Sequence, residues 1–187
     1  MPDSTRLNPF RLVMAQLNFL VGDIDGNTSK IISAIAEARD QLGAQVIVFS
    51  ELAVSGYPPE DLLHRPAFID ASRLALDSIA VNTSNITAIV GAPVAEGGQL
   101  FNAAVIMQDG AISHIAHKQC LPNYGVFDEQ RYFSAGNKTS VIELVPGLMA
   151  GITVCEDIWC ESPVHGAAKD GADIIINLNA SPFHRGK

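Results

Sequence analysis

The chain has 187 residues, 48% of them hydrophobic and 17% charged, with a formal net charge of −8. That length favours one domain, and the composition belongs to a chain that buries a real core rather than to a disordered one. No Lys/Arg block occurs anywhere, which argues against a nucleic-acid surface and against docking on an anionic membrane, and no apolar run approaches the roughly 18 residues that cross a bilayer.

The opening MPDSTRLNPF lacks the basic start and apolar stretch of a signal peptide, so the expected location is the cytoplasm. Cys120, Cys155 and Cys160 are few and odd in number, unlike a secreted disulfide framework, and all three are expected as reduced thiols.

In chain order, RLVMAQLNFL (Arg11 to Leu20) predicts a first strand, and GDIDGN a turn. Asn27 or Thr28 can cap the helix that follows. Ile31, Ile35, Ala38 and Leu42 share one of its faces, and Gly43 stops it. QVIVFS predicts a buried strand ending at Glu51, SGYPPEDLL a loop, and the stretch around Phe68 to Ala80 a second helix. ITAIVGAPV is the next strand. LFNAAVIMQDGAISHIAHK reads as a hairpin turning at Gln108-Asp109-Gly110. The long loop QCLPNYGVFDEQRYFSAGNKT separates it from the strands leading to GITVCEDIWC. SPVHGAAKDGAD predicts a helix and IIINLN a last strand. This order describes an α/β chain with a mixed sheet. The chain stops at SPFHRGK, directly after a strand, so the unit spanning 1–187 is expected to be a domain incomplete at its C-terminus.

Three reactive residues stand at strand ends: Glu51 after VIVFS, Lys118 after ISHIAH and Cys155 after GITV. Each has an ordinary structural reading. The glutamate suits a solvated charge or a helix cap, the lysine a guard on a sheet edge, and the cysteine a small buried hydrophobe. Together they form a chemically coherent set. A thiol with an ordinary pKa near 8.5 needs a positive neighbour or a base to act at neutral pH. A lysine can supply the charge and hold an oxyanion, and a glutamate can take the thiol proton and deliver it to a leaving amine. Spacing alone does not show that the three converge.

No metal is expected. His114 and His117 are three positions apart on a predicted strand and should face opposite sides. Cys155 and Cys160 lack zinc-ligand spacing, and a metal would quench a nucleophilic thiol. They also lack the Cys-x-x-Cys spacing of a redox pair. His64, His165 and His184 show no pairing pattern.

The blocks SELAVSGYPPEDLL, HKQCLPNYGVFDEQRYF, GITVCEDIW and NLNASPFHRGK, in that order, resemble the nitrilase (carbon-nitrogen hydrolase) superfamily, and AQLNFLVGDIDGN resembles its first strand and turn. CEDIW, where many relatives carry a tyrosine after the cysteine, is similar to the branch formed by the glutaminase domains of glutamine-dependent NAD synthetases. The resemblance implies a four-layer α-β-β-α sandwich and a Glu51-Lys118-Cys155 triad with Cys155 as nucleophile. Cys120 and Cys160 then have structural roles. It further implies that Tyr124, Glu129, Glu156, Ser181 and Lys187 surround the substrate, with Tyr57 and Pro58 holding the loop after Glu51.

The implied substrate is L-glutamine, with no cofactor in this domain. ATP and Mg would serve a covalently linked synthetase domain, whose Ser-Gly-Gly-rich pyrophosphate loop does not occur in these residues, and a homo-oligomer is implied. The alternatives are a stand-alone amidase or carbamoylase acting on another small amide, and a catalytically silent scaffold of the same fold.

Overall fold

The computed structural model describes residues 10–182 and 185. A first sheet runs in the order β1 (Leu12–Ala15), β2 (Val46–Phe49), β3 (Thr87–Glu96), β4 (Gln99–Gln108) and β5 (Ala111–His117). Its first three strands are parallel, joined by crossover helices α1 (Ile24–Asp40) and α2 (Pro66–Ala80), while β3–β4 and β4–β5 are antiparallel hairpins. A second sheet orders β6 (Val141–Val145), β7 (Leu148–Val154) and β8 (Ile174–Leu178), with α3 (Glu161–Lys169) crossing between the parallel pair β7–β8.

The two-residue period of the strands divides the core in two. On β2 and β4, Ile47, Phe49, Val105 and Met107 pack with Ile31, Ile35 and Ile79 of the helices. Val46, Ala104 and Ile106 point the other way, onto Ala150, Ile152, Val154 and Ile176 of the second sheet. The layers are therefore α1/α2, sheet, sheet and α3, the sandwich expected from the resemblance. Gly151 lets α3 approach β7: a Cβ there would stand 2.7 Å from both the Ala167 Cβ and the Ile175 Cδ1. Among the described residues, no helix is long and apolar enough to cross a membrane.

Because β2 and β5 run in the same direction, Glu51 and Lys118 leave the first sheet at the same edge. Cys155 leaves β7 on the facing sheet. Stacked sheets of this kind place three strand ends around one space.

Several local expectations are corrected. The first strand covers four residues rather than ten, because from residue 16 onward the chain turns in. Phe19 packs on the helix-side core, and both backbone groups of Leu20 bond the Asn27 side chain. Asn27 is consequently a buried tie that also reaches the Val54 carbonyl, not a cap. Asp23 is the N-cap, accepting the Gly26 N–H at 3.0 Å, and Thr28 bonds back to the Ile24 carbonyl inside the helix. Leu42 lies past the helix and is exposed. The hairpin at Asp109-Gly110 is as expected, and a second hairpin, turning at Gly97-Gly98, joins β3 to β4. His114 and His117 both line one open cleft of about 530 Å³, because β5 is the edge strand and the cleft wraps round it.

The cysteines also differ from expectation. Cys155 is free, but Cys120 and Cys160 form a disulfide, their Cα atoms 6.8 Å apart. Linear spacing did not reveal the pair because what brings them together is a third residue, Asp157, whose carboxylate binds the backbone of the segment carrying Cys120.

Closing a loop across 40 residues restrains the unfolded chain by an amount worth about 2–4 kcal/mol. Cys160→Ser is therefore expected to lower the urea midpoint with an unchanged or slightly larger slope. A midpoint matching that of the parent chain, measured under oxidising conditions, would refute this contribution.

Candidate functional site

The sequence from Ser50 to Ser55 folds into tight turns immediately after β2, with Leu52 in the left-handed region at φ 51°. These turns put Glu51 inside, 1% exposed. The turn packs on β3 at Gly91, where a Cβ would collide with the Ser50 carbonyl oxygen, the Leu52 nitrogen and the Glu51 Cα, and the Gly91 carbonyl accepts the Val54 N–H at 3.1 Å. Only glycine admits that approach.

Lys118 follows β5 and is fully buried. Its Nζ donates to Glu51 Oε1 and to Glu129 Oε1, each at 2.7 Å. Burial works against its charge, but the two carboxylates outweigh that and hold its pKa above the ordinary lysine value. Glu129 sits in a short 3-10 turn (Glu129–Arg131) within the long loop and is 6% exposed, so it is no surface charge. Burial pushes its carboxyl up, against the pull of Lys118. Asn102, near the start of β4, donates to Glu51 Oε1 at 2.8 Å, and its backbone carbonyl accepts the Lys118 N–H at 2.8 Å. Glu51 Oε2 accepts a longer bond, 3.2 Å, from the Ala180 N–H, and an oxygen with two lone pairs has room for a further donor.

Cys155 opens a 3-10 turn, Cys155–Trp159, at the end of β7, with φ +47°. A non-glycine residue in that region is strained, and such strain collects at functional turns. The thiol is 5% exposed, with Ser181 Oγ at 3.7 Å. Burial first, then the charge of Glu51, pushes its pKa up to about 11, against the attraction of Lys118. The resting sulfur is a protonated thiol beside a base and a cation. Tyr57, joined to Pro58 by a cis peptide, lies close by: burial, then the charges of Glu51, Glu129 and Cys155, push its phenol up.

The other expected site residues divide. Tyr124, 58% exposed, donates its hydroxyl to the Glu156 carboxylate at 2.9 and 3.0 Å, so these two form one pair next to the cysteine turn. Ser181 reaches the sulfur, as given above, and Lys187 lies outside the described residues. A cavity of about 280 Å³ adjoins the buried cluster, lined by Tyr57, Pro58, Phe127, Glu129 and Tyr132 among others. Among the described residues no group of three or more His, Cys, Asp or Glu side chains is placed to hold a metal ion.

Sequence reasoning missed Asn102, Asp157 and Gly91. The glycine inside ITAIVGAPV was a usable sign of close backbone approach. Nothing near Asn102 or Asp157 in the chain announces their partners, which are 51 and 38 residues away.

The geometry agrees with what comparison finds. The carbon-nitrogen hydrolase family model matches residues 11–187. The chain is 42% identical over 188 residues to a glutamine-dependent NAD(+) synthetase of Xanthomonas campestris, covering 100% of this chain and 34% of that protein. It is 44% identical to one of Aquifex aeolicus, covering 94% of this chain and 31% of that protein. The chain thus spans about a third of the length of the curated relatives it matches.

Among solved structures, the glutamine-dependent NAD+ synthetase of Acinetobacter baumannii in complex with ADP superposes with a TM-score of 0.89 at 38% identity, over 95% of this chain and 33% of that one. A glutamate-to-glutamine mutant of an amidase from Nesterenkonia sp. AN1, showing Michael addition of acrylamide at its active-site cysteine, gives a TM-score of 0.81 at 25% identity, over 95% of this chain and 69% of that one. This chain belongs to the carbon-nitrogen hydrolase family.

Proposed function

We propose that the chain is the glutaminase part of a glutamine-dependent NAD synthetase, releasing ammonia from L-glutamine through a thioester on Cys155. The observation that carries this reading is the convergence of Cys155, Glu51 and Lys118, from three strand ends on two sheets, in one buried cluster. The likeness to NAD synthetases over the whole chain supports the substrate, and the acrylamide adduct on the related amidase's cysteine supports the nucleophile.

In this mechanism the protonated thiol loses its proton to Glu51 Oε2 as sulfur attacks the side-chain amide carbon. Of the three N–H groups on Lys118 Nζ, two are engaged by Glu51 and Glu129 and the third is left for the oxyanion, with the backbone N–H of Glu156 as second donor. The C–N bond breaks as Glu51 returns the proton to the departing nitrogen, which leaves as ammonia. Water, deprotonated by Glu51, then splits the γ-glutamyl thioester to glutamate and restores the thiol. Tyr124, Glu156 and Ser181 would hold the amino-acid end of the substrate, with Lys187 at its carboxylate, and Glu129 keeps Lys118 charged and aimed. No cofactor enters these steps. ATP and Mg belong to the amidation of deamido-NAD in a linked synthetase domain.

A stand-alone amidase is the second reading, favoured by the 69% of the Nesterenkonia chain that this one covers. The two part on substrate: ammonia release from glutamine, with little from simple aliphatic amides, supports the first.

A glutamine-shaped electrophile should label Cys155 alone, glutamine should block it, and Cys155→Ala should take up no label. Glu51→Gln should lower glutamine hydrolysis by about 10²–10⁴-fold. Labelling elsewhere, or undiminished labelling under saturating glutamine, would count against a glutamine pocket at this cysteine.

Thiolate absorbance, read as the difference from Cys155→Ala, should rise with a midpoint near about 11. Glu51→Gln should lower that midpoint and Lys118→Met raise it. Since the folded thiol keeps its proton to a higher pH than an unfolded one, the associated stability is present below about 9 and is lost as pH rises towards about 11. A midpoint below 8 would contradict the protonated resting state.

A further inference from the structure

Asp157 takes no part in the bond-making steps above, yet it is 2% exposed and its carboxylate accepts three backbone N–H groups. Oδ2 takes the Val154 N–H at 3.0 Å, while Oδ1 takes those of Gln119 at 2.9 Å and Cys120 at 2.8 Å. A buried carboxylate is ordinarily hydrogen-bonded, so satisfaction alone says little. The choice of partners says more. Val154 immediately precedes Cys155, and Gln119 immediately follows Lys118. The two segments leave different sheets, and no strand ladder links those sheets to hold them in register. One side chain therefore ties the backbone beside the nucleophile to the backbone beside the lysine.

We propose that Asp157 is a positioning residue that sets the Lys118 ammonium relative to the Cys155 sulfur. The inference rests on the roles given to Cys155 and Lys118 above. An ionised carboxylate suits the task because it only accepts. An asparagine in its place carries an amide nitrogen that donates, so in either orientation it points a donor at one or two backbone donors and pries the segments apart. A glutamate keeps the charge but moves the hub outward by one methylene. The neighbouring Lys118 charge favours the ionised form of Asp157, as do the three bonds, although burial raises its pKa overall.

The groups acting on the Cys155 thiol are Glu51 after β2, Lys118 after β5 and Ser181 after β8. Displacing Lys118 weakens the larger of the two interactions, with Lys118 and with Ser181, that favour the thiolate, so the thiol should become less reactive.

The test follows Cys155 alkylation by neutral chloroacetamide across the alkaline range, read by intact mass, in the parent chain, Asp157→Asn, Asp157→Glu and Gln119→Pro, with folding checked by thermal melting. Asp157→Asn should alkylate about tenfold more slowly at a fixed pH near 8, with its pH profile moved upward. In glutamine hydrolysis its kcat should fall about ten- to a hundredfold while KM stays within about threefold. Asp157→Glu should not restore the parent rate. Gln119→Pro leaves the carboxylate intact and removes one donor, and should show a smaller fall of about threefold.

Folded Asp157→Asn or Gln119→Pro with the parent rate and pH profile would overturn the proposal. Failure of both to fold would make Asp157 an element of the fold and overturn it equally. Alkylation does not require glutamine, so a parent chain that alkylates as expected but spares glutamine refutes the glutaminase reading and leaves the positioning role to be judged on thiol reactivity.

Discussion

A lysine with no exposed surface, held between two buried carboxylates, is the constraint around which this structure is arranged. Moving a charge out of water carries a penalty of several kcal/mol, and an ion left without its partner in the interior destabilises by about 3–5 kcal/mol. The fold has to deliver Glu51, Lys118 and Glu129 to one point from the end of β2, the end of β5 and a long loop. Gly91 permits the turn that carries Glu51, Asn102 bridges Glu51 and the Lys118 backbone, and Ala180 supplies a further donor from beyond β8. Each of these contacts serves charge satisfaction first. The chemistry uses what results.

Two carboxylates stand against one ammonium in the cluster, and burial, then the charge of Glu51, sets the state of the cysteine. A thiol beside an isolated lysine would be acidified. Here burial and Glu51 outweigh Lys118, so the thiol pKa is pushed up to about 11 and the group rests protonated at neutral pH. In the proposed mechanism, proton transfer to Glu51 accompanies attack. The oxygen with spare capacity, Oε2, is not the one bound to Lys118 and Asn102, so under that proposal one oxygen holds the lysine while the other moves a proton.

Much of this was legible in the chain because strand ends are local events. VIVFS and GITV are short apolar runs, and ISHIAH a mixed one, that switch to Glu51, Cys155 and Lys118 where the strand ends, and the structure ends β2, β7 and β5 there. What escaped is long-range or depends on the outcome of folding. Asn27 has the composition of a cap but is drawn inward by the Leu20 and Val54 backbone. Cys120 and Cys160 read as separate thiols because the carboxylate that joins their segments looks, in sequence, like an acid favouring the start of a helix. The resemblance set Glu129 around the substrate, whereas its bond to Lys118 and its burial depend on how the long loop folds back.

Cys155 and Glu51 follow strands of opposite sheets, so their separation follows the thickness of the core between them. That core packs Val46, Ile89, Ala104, Ile106 and Ala116 of the first sheet with Ala150, Ile152, Val154, Ile176 and Leu178 of the second, and facing sheets of this kind stand about 10 Å apart. Val154 and Cys155 both belong to this buried cluster, and Cys155 opens the turn after β7 in the left-handed region. With φ +47° at Cys155, the chain turns where β7 ends, and the sulfur stands within 3.7 Å of Ser181 Oγ and in the field of the Glu51 carboxylate. Packing holds the two sheets together, and one turn at the end of β7 brings a thiol from one sheet to a carboxylate from the other.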